Sequence, residues 1–373
     1  RFRASAQTTA NLSPHLFLKG YAAYGVRDKK WKYEGEVEYS FLKKQYSPEE
    51  FPRNSIAIST RYDVMAPSDA MLPTDKDNVF TSLKTQTIDQ MSYFRQYNIR
   101  YVYEFDNHFG ITAQLRHITQ NPTGTLFYRT LGGQIVPELT QSEATLSLRY
   151  APGEKVVVTK QRRHPVNHNY PIYTLMHTTG FKDVLGGDYA SNYTELSVTK
   201  RFWLNSYGRI DIYGRAGAQW NRVPFPLLIT PAANNSYIIQ RSMFNMINNM
   251  EFMNDRFVSL DVQWDLSGKL FNRIPLLKHL KWREVIGFKT LYGTLTDKNN
   301  PFKQGNQSDL FEFPSRNGQP TSFVMGDTPY MELNVGIHNI FKILRVDYVR
   351  RLNYLNAPNA KKNGVRFVLQ FDF

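Results

Sequence analysis

The chain has 373 residues, enough for one large core or one large barrel, and no run of about 18 apolar residues, which excludes a transmembrane helix. It is 41% hydrophobic and 14% aromatic with 23 tyrosines and no cysteine, which suits strands that are apolar on one face and interfaces rich in aromatic rings. The net charge of +14 points toward nucleic acid or an anionic surface, but no basic motif of a nucleic-acid module is present. Nucleic acid is therefore excluded as a partner. The cations are assigned to a polar lumen and to loops facing membrane lipid and lipopolysaccharide phosphates. The first residue is Arg1 rather than Met, so the sequence reads as a mature or partial chain.

Period-two alternation recurs along the chain. Arg1–Thr9 resembles part of a strand, and Leu16, Leu18, Gly20, Ala22 and Tyr24 form one apolar face of the next. After the polar turn Arg27–Lys30, Trp31, Tyr33, Val37, Tyr39 and Phe41 oppose Lys32, Glu34, Glu36, Glu38 and Ser40. Four charges on one face of one strand need water or partners, because a desolvated charge is costly. Asn54–Asp63 alternates next, residues 64–90 form a long loop, and Met91–Phe105 and Phe109–Gln120 pair through a tight turn. A loop at 121–140 precedes Gln141–Ala151. Residues 152–169 make an irregular excursion with a short hairpin. Strands follow at Tyr170–Phe181, Ser191–Leu204 and Ser206–Asn221.

Residues 223–255 open with Pro224, Pro226 and Pro231 and continue rich in Asn and Met, without alternation. Proline is poorly tolerated inside a paired strand, so this reads as a long loop folding into the lumen. Arg256–Leu266 is clean again, with Val258, Leu260, Val262, Trp264 and Leu266 outward. Leu270–Leu280, with Pro275, reads as a periplasmic turn with a short helix. Trp282–Thr294 is a strand, 295–327 a loop, and Tyr330–Asn339 pairs with Phe341–Leu352.

The last ten residues read G-V-R-F-V-L-Q-F-D-F, with Val365, Phe367, Leu369, Phe371 and Phe373 opposing Arg366, Gln370 and Asp372. A chain that stops on the strand itself, on an aromatic residue, has the habit of an outer-membrane β-barrel. The fold expected is all-β: a single antiparallel transmembrane barrel spanning 1–373, of about 16 strands. Fifteen are counted directly. Even parity places a sixteenth upstream of Arg1, or hidden near 154–162 or 238–252.

Several strings carry a family resemblance: Thr8-Thr-Ala-Asn-Leu12, the T-D-K-D-N of Thr74–Asn78, Lys200-Arg-Phe-Trp203, Pro224-Phe-Pro-Leu-Leu228, Phe271-Asn-Arg-Ile-Pro-Leu-Leu277, Lys281-Trp-Arg-Glu284 and Gly336-Ile-His-Asn-Ile-Phe341. They resemble an uncharacterised family of Bacteroidota outer-membrane proteins, whose longer members carry an N-terminal carboxypeptidase-regulatory-like domain. More distantly, the C-terminal third is similar to the barrel of the outer-membrane assembly-factor and two-partner-secretion superfamily. That likeness implies a lumen loop after a Pro-Phe motif, here Pro224, Phe225, Asn248, Asn249 and Glu251. It also implies a weakly paired seam at the last strand, here Gly364, Arg366, Val368, Gln370 and Phe373. The superfamily's Val-Arg-Gly-Phe loop signature is missing, and Met246-Ile-Asn-Asn249 stands in its place.

The resemblance implies a component of outer-membrane protein or lipoprotein assembly or export, with other outer-membrane proteins or lipoproteins as partners. The alternatives are a structural subunit of a larger envelope complex and a passive pore. His164 and His168 sit in a Pro/Asn-rich loop rather than on a helix. Asp75-x-Asp77-Asn78 lacks the Gly and distal Glu of a calcium loop. No metal, cofactor or catalytic residue is assigned, and no enzyme is expected.

Overall fold

Each clean alternation becomes a strand, because residues at even and odd positions face two different solvents. The structure is a computed structural model that describes residues 1–69, 83–159, 163–165, 169–240, 242–303, 305 and 310–369. Fifteen strands form one sheet in chain order. They are β1 Phe2–Gln7, β2 Leu16–Tyr24, β3 Trp31–Ser40, β4 Asn54–Met65, β5 Gln90–Glu104, β6 Phe109–Gly124, β7 Leu139–Tyr150 and β8 Ile172–Gly180. Then follow β9 Ser191–Trp203, β10 Arg209–Gln219, β11 Arg256–Asp265, β12 Arg283–Thr294, β13 Tyr330–Ile340, β14 Leu344–Arg351 and β15 Asn363–Leu369. Every neighbouring pair is antiparallel, from Phe2 opposite Tyr24 to Leu344 opposite Leu369.

The two faces separate as the alternation predicts. On β3, Lys32 and Glu38 are buried inward while Trp31, Val37 and Tyr39 are exposed outward. Exposed Ile58, Leu115, Val258 and Val335 continue this apolar outer surface around the sheet. So large an apolar exterior is stable in hydrocarbon and a liability in water. The inward charges form ion pairs. Arg53 meets Glu38 at 2.8 Å and Arg100 meets Glu36 at 3.2 Å. Farther round, Arg215 meets Glu195 at 2.8 Å and Arg345 meets Asp347 at 2.6 Å.

The strand count among the described residues is fifteen, and neither internal candidate for a sixteenth belongs to the sheet. Val156–Val158 pairs instead with Arg163–Pro165 in a separate hairpin. Among the described residues, 238–240 and 242–252 make isolated bridges and no strand. With an odd number of antiparallel strands, β1 and β15 run in the same direction, and they are not hydrogen-bonded to each other among the described residues.

Strands β4 and β6 run on to Met65 and Gly124, so the loops expected at 64–90 and 121–140 begin later. Leu266 lies past the end of β11 and is buried rather than outward. Connections at one end of the barrel are mostly short, such as 105–108, 204–208 and 341–343; those at the other include 220–255 and 295–329. Gln370, Phe371, Phe373, His168 and the Asp75–Asn78 string lie outside the described residues.

Candidate functional site: the lumen plug and its latch

Residues 220–255 leave β10 and fold into the barrel. The stem closes where Ile229 and Asn254 exchange both backbone hydrogen bonds, at 2.8 and 3.0 Å. Three prolines cannot supply ladder donors, and the apolar side chains have no lipid to face, so burial against one another decides the path. Val223, Phe225, Leu228, Met250 and Met253 form one cluster with Leu139 of β7 and with Leu126, Tyr128 and Phe311 of the neighbouring connections. Ile229, Phe244, Ile247 and Phe252 form a second against Phe257 of β11, Leu291 of β12 and Tyr330 of β13. The lumen expected to be polar is therefore apolar in its long-loop half.

The wall is shaped to receive this segment. A Cβ on Gly293 of β12 would sit 2.2 Å from the side chain of the plug's Asn254. A side chain there and the plug cannot occupy the same space.

Below the clusters the plug is held by charge. Glu332 of β13, 1% exposed, accepts the backbone N–H of Asn245 at 2.9 Å, that of Met246 at 3.0 Å and the Tyr330 hydroxyl at 3.0 Å. Arg351 of β14, fully buried, donates to Glu251 of the plug at 2.7 Å. Its remaining donors reach the carbonyls of Asn353 at 3.0 Å, Tyr354 at 2.9 Å and Met246 at 3.4 Å. The Tyr330 ring lies 5.0 Å from its guanidinium carbon. Lys289 of β12 donates to the Met243 carbonyl at 2.6 Å, and Arg366 of β15 to the Asn245 carbonyl at 2.8 Å. Four consecutive strands thus each send one charged side chain to plug residues 243–251. A buried charge is costly unless paired or hydrogen-bonded; Arg351 and Lys289 meet carboxylates, Glu332 accepts several N–H and O–H donors, and Arg366 donates to two backbone carbonyls.

Of the residues anticipated in a lumen loop, Pro224 and Phe225 are buried, with Phe225 in the first cluster. Asn249 accepts from Ser68 Oγ at 2.8 Å and donates to the Gln90 carbonyl at 3.0 Å, tying the plug to the opposite wall. Asn248 bridges Glu251 at 2.8 Å and the Asn359 carbonyl at 2.9 Å. Glu251 is the latch carboxylate. Sequence reasoning did not single out Arg351, Lys289 or Glu332 as groups that hold the plug. The alternation Asp347, Val349, Arg351 marks Arg351 as inward, but nothing local separates it from other lumen charges.

On β15, Arg366 is buried and Val365 exposed. Its free edge is partly occupied by the plug. Phe367 N–H donates to the Tyr237 carbonyl at 2.8 Å, and Ile239 N–H to the Phe367 carbonyl at 2.7 Å, in a parallel bridge. Gly364 lets the plug close in: a Cβ there would stand 3.2 Å from Met246 Cε. Val368 points to a cavity of about 430 Å³ beneath the plug, roofed by Ile239 and Ser242 and lined by Arg201, Asp211, Asp265, His338 and Arg345. Within it Arg201 pairs with Asp211 at 2.5 Å, and His338 and Asp265 are hydrogen-bonded at 3.1 Å.

Lys361, in the loop before β15, reports on this packing. Burial lowers its ammonium to about 8, Arg366 adds to that, and Glu251 opposes it. The unfolded lysine titrates at 10.5, so between these values the unfolded chain holds a proton that the folded chain has released. Stability therefore rises as pH climbs from about 8 toward 10.5. Thermal melts at pH 7.5 and pH 10 should show this rise in the wild type and lose it in Lys361→Met. An equal rise in both would assign it to other groups.

A family model described as a family of unknown function (DUF5686), C-terminal domain, matches residues 1–302. No curated protein sequence matches the chain. Among solved structures, the fold is similar to BamA from Haemophilus ducreyi lacking POTRA domains 1–3, with TM-score 0.52 and 9% identity over 98% of this chain and 69% of that one. CdiB from Acinetobacter baumannii aligns with TM-score 0.46 and 9% identity over 98% of this chain and 58% of that one. OccK11 (OpdR) of Pseudomonas aeruginosa aligns with TM-score 0.32 and 7% identity over 98% and 91%. The BamA likeness shows the fold, an outer-membrane-type β-barrel.

Proposed function

The chain belongs to this DUF5686 family, and we propose that it is an outer-membrane barrel acting in the assembly or export of outer-membrane proteins or lipoproteins, not an open pore and not an enzyme. The observation that carries this reading is the latch. Arg351, Glu332, Lys289 and Arg366 hold a buried segment across the lumen, a construction a passive channel does not need. The short-turn end faces the periplasm and the long loops face outward, as in other barrels of this type. Partners are membrane lipid and lipopolysaccharide around the wall, and outer-membrane proteins or lipoproteins as clients or neighbours. The plug's hold on the edge of β15 keeps the seam strand from pairing elsewhere while the plug is seated.

Depletion of the protein in its native cell, followed by quantitative outer-membrane proteomics and solute-uptake assays, tests this. The expected result is loss of a subset of outer-membrane proteins or surface lipoproteins with small-solute uptake unchanged. Loss of uptake with an unaltered proteome would reject it in favour of a pore.

A further inference from the structure

Three connections lie side by side on the short-turn rim: 204–208 between β9 and β10, 266–282 between β11 and β12, and 341–343 between β13 and β14. Residues 196–210, 266–283 and 338–346 around them contain no Asp or Glu. They contain cations in two roles. Arg201, Arg209 and Arg345 turn to lumen carboxylates. Arg273, Lys278, Lys281, Arg283 and Lys342 are exposed.

Between these cations stand large exposed apolar side chains: Trp203, Tyr207, Leu276 at 73% and Leu280 of the short helix α1 (Pro275–Leu280), and Phe341 at 85%. The connections are fixed to each other. Trp264 Nε1 donates to the Tyr207 carbonyl at 2.9 Å, Lys269 Nζ to Ser206 Oγ at 3.2 Å, and Asn339 Nδ2 to the Lys281 carbonyl at 2.7 Å. Buried Glu284 accepts the Leu270 N–H at 2.8 Å and so anchors the start of the helical turn. Elsewhere on the same rim, Glu49, Glu50 and Asp106 interrupt the positive charge.

We propose that this arc is a binding surface for anionic phospholipid headgroups of the periplasmic leaflet. The apolar side chains continue the lipid-facing exterior of β9, β11 and β13, so they sit at the edge of hydrocarbon. Cations interleaved among Trp, Tyr and Leu at that depth reach out to phosphate while their stems stay in the apolar layer. Each such cation is worth about fivefold in affinity for an anionic surface. The opposite rim carries long loops toward the lipopolysaccharide side, so the ligand of this arc is phospholipid. The inference rests on the outer-membrane reading.

The test uses the purified full chain in detergent, titrated with cardiolipin and with phosphatidylcholine. Wild type should bind cardiolipin at least about tenfold more tightly than phosphatidylcholine. The variant Arg273→Gln/Lys278→Gln/Lys281→Gln/Lys342→Gln should lose that preference. A charge-matched variant of the opposite rim, Arg27→Gln/Lys29→Gln/Arg222→Gln/Lys303→Gln, should keep it. Heat-modifiable gel migration verifies that both variants remain folded barrels. Equal affinity for the two lipids, or equal loss in both variants, overturns the proposal. So does an acidic envelope protein captured by wild type and lost in the first variant while the lipid preference stays intact, which would make the arc a protein dock. A chain that enters bilayers of no composition would instead sink the membrane reading itself.

Discussion

Arg351→Met should destabilise the barrel by about 3–5 kcal/mol, the usual consequence of stranding one partner of a buried ion pair. Methionine fills much the same space, so lost packing is a minor part of the effect. What remains is Glu251, 1% exposed, with its strongest counter-charge gone. Glu251→Gln alone should cost less, because the Arg351 guanidinium keeps the carbonyls of Asn353, Tyr354 and Met246. The double variant should recover much of the loss, since neither charge is then buried alone. Urea unfolding in detergent, followed by tryptophan fluorescence, gives the three stabilities and their coupling. A single-variant loss below about 1 kcal/mol that simply adds to that of Glu251→Gln would show that the pair is not a latch.

How far the sequence could be read follows from the length scale of each signal. Strands such as β3 and β11 were legible because alternation is local, and because four charges on one face of β3 demand a polar interior. The exposed Trp31, Val37 and Val258 follow directly from it. The plug was legible only as an interruption: Pro224, Pro226 and Pro231 and an Asn/Met-rich run without period. Its apolar content could not be assigned a partner, because Phe244 and Ile247 meet Leu291 and Tyr330 only through contacts distant in sequence.

The latch was hidden for the same reason. Glu332 and Arg351 follow the same inward alternation as Asp211 or Glu195, and nothing within a window of ten residues distinguishes a charge that pairs across the wall from one that grips a plug. Glu251 and Arg351 stand 100 residues apart. Position 266 was misread because alternation was carried one residue past the end of β11, where Leu266 is buried.

The plug is the centre of the account, and removing it should have the largest functional effect. Ile229 and Asn254 are already hydrogen-bonded neighbours, so residues 231–252 can be replaced by a short Gly-Ser linker without straining the stem. Excision also removes Glu251, and water entering the lumen then solvates Arg351, Glu332 and Lys289, so the variant avoids a stranded buried charge. A barrel of this strand number without its plug leaves an aqueous channel. Single-channel recording in planar bilayers compares the two proteins directly. The account predicts that wild type stays closed and that the excised variant carries a large, steady current. A large, steady current through the wild type, unchanged by the excision, would contradict it.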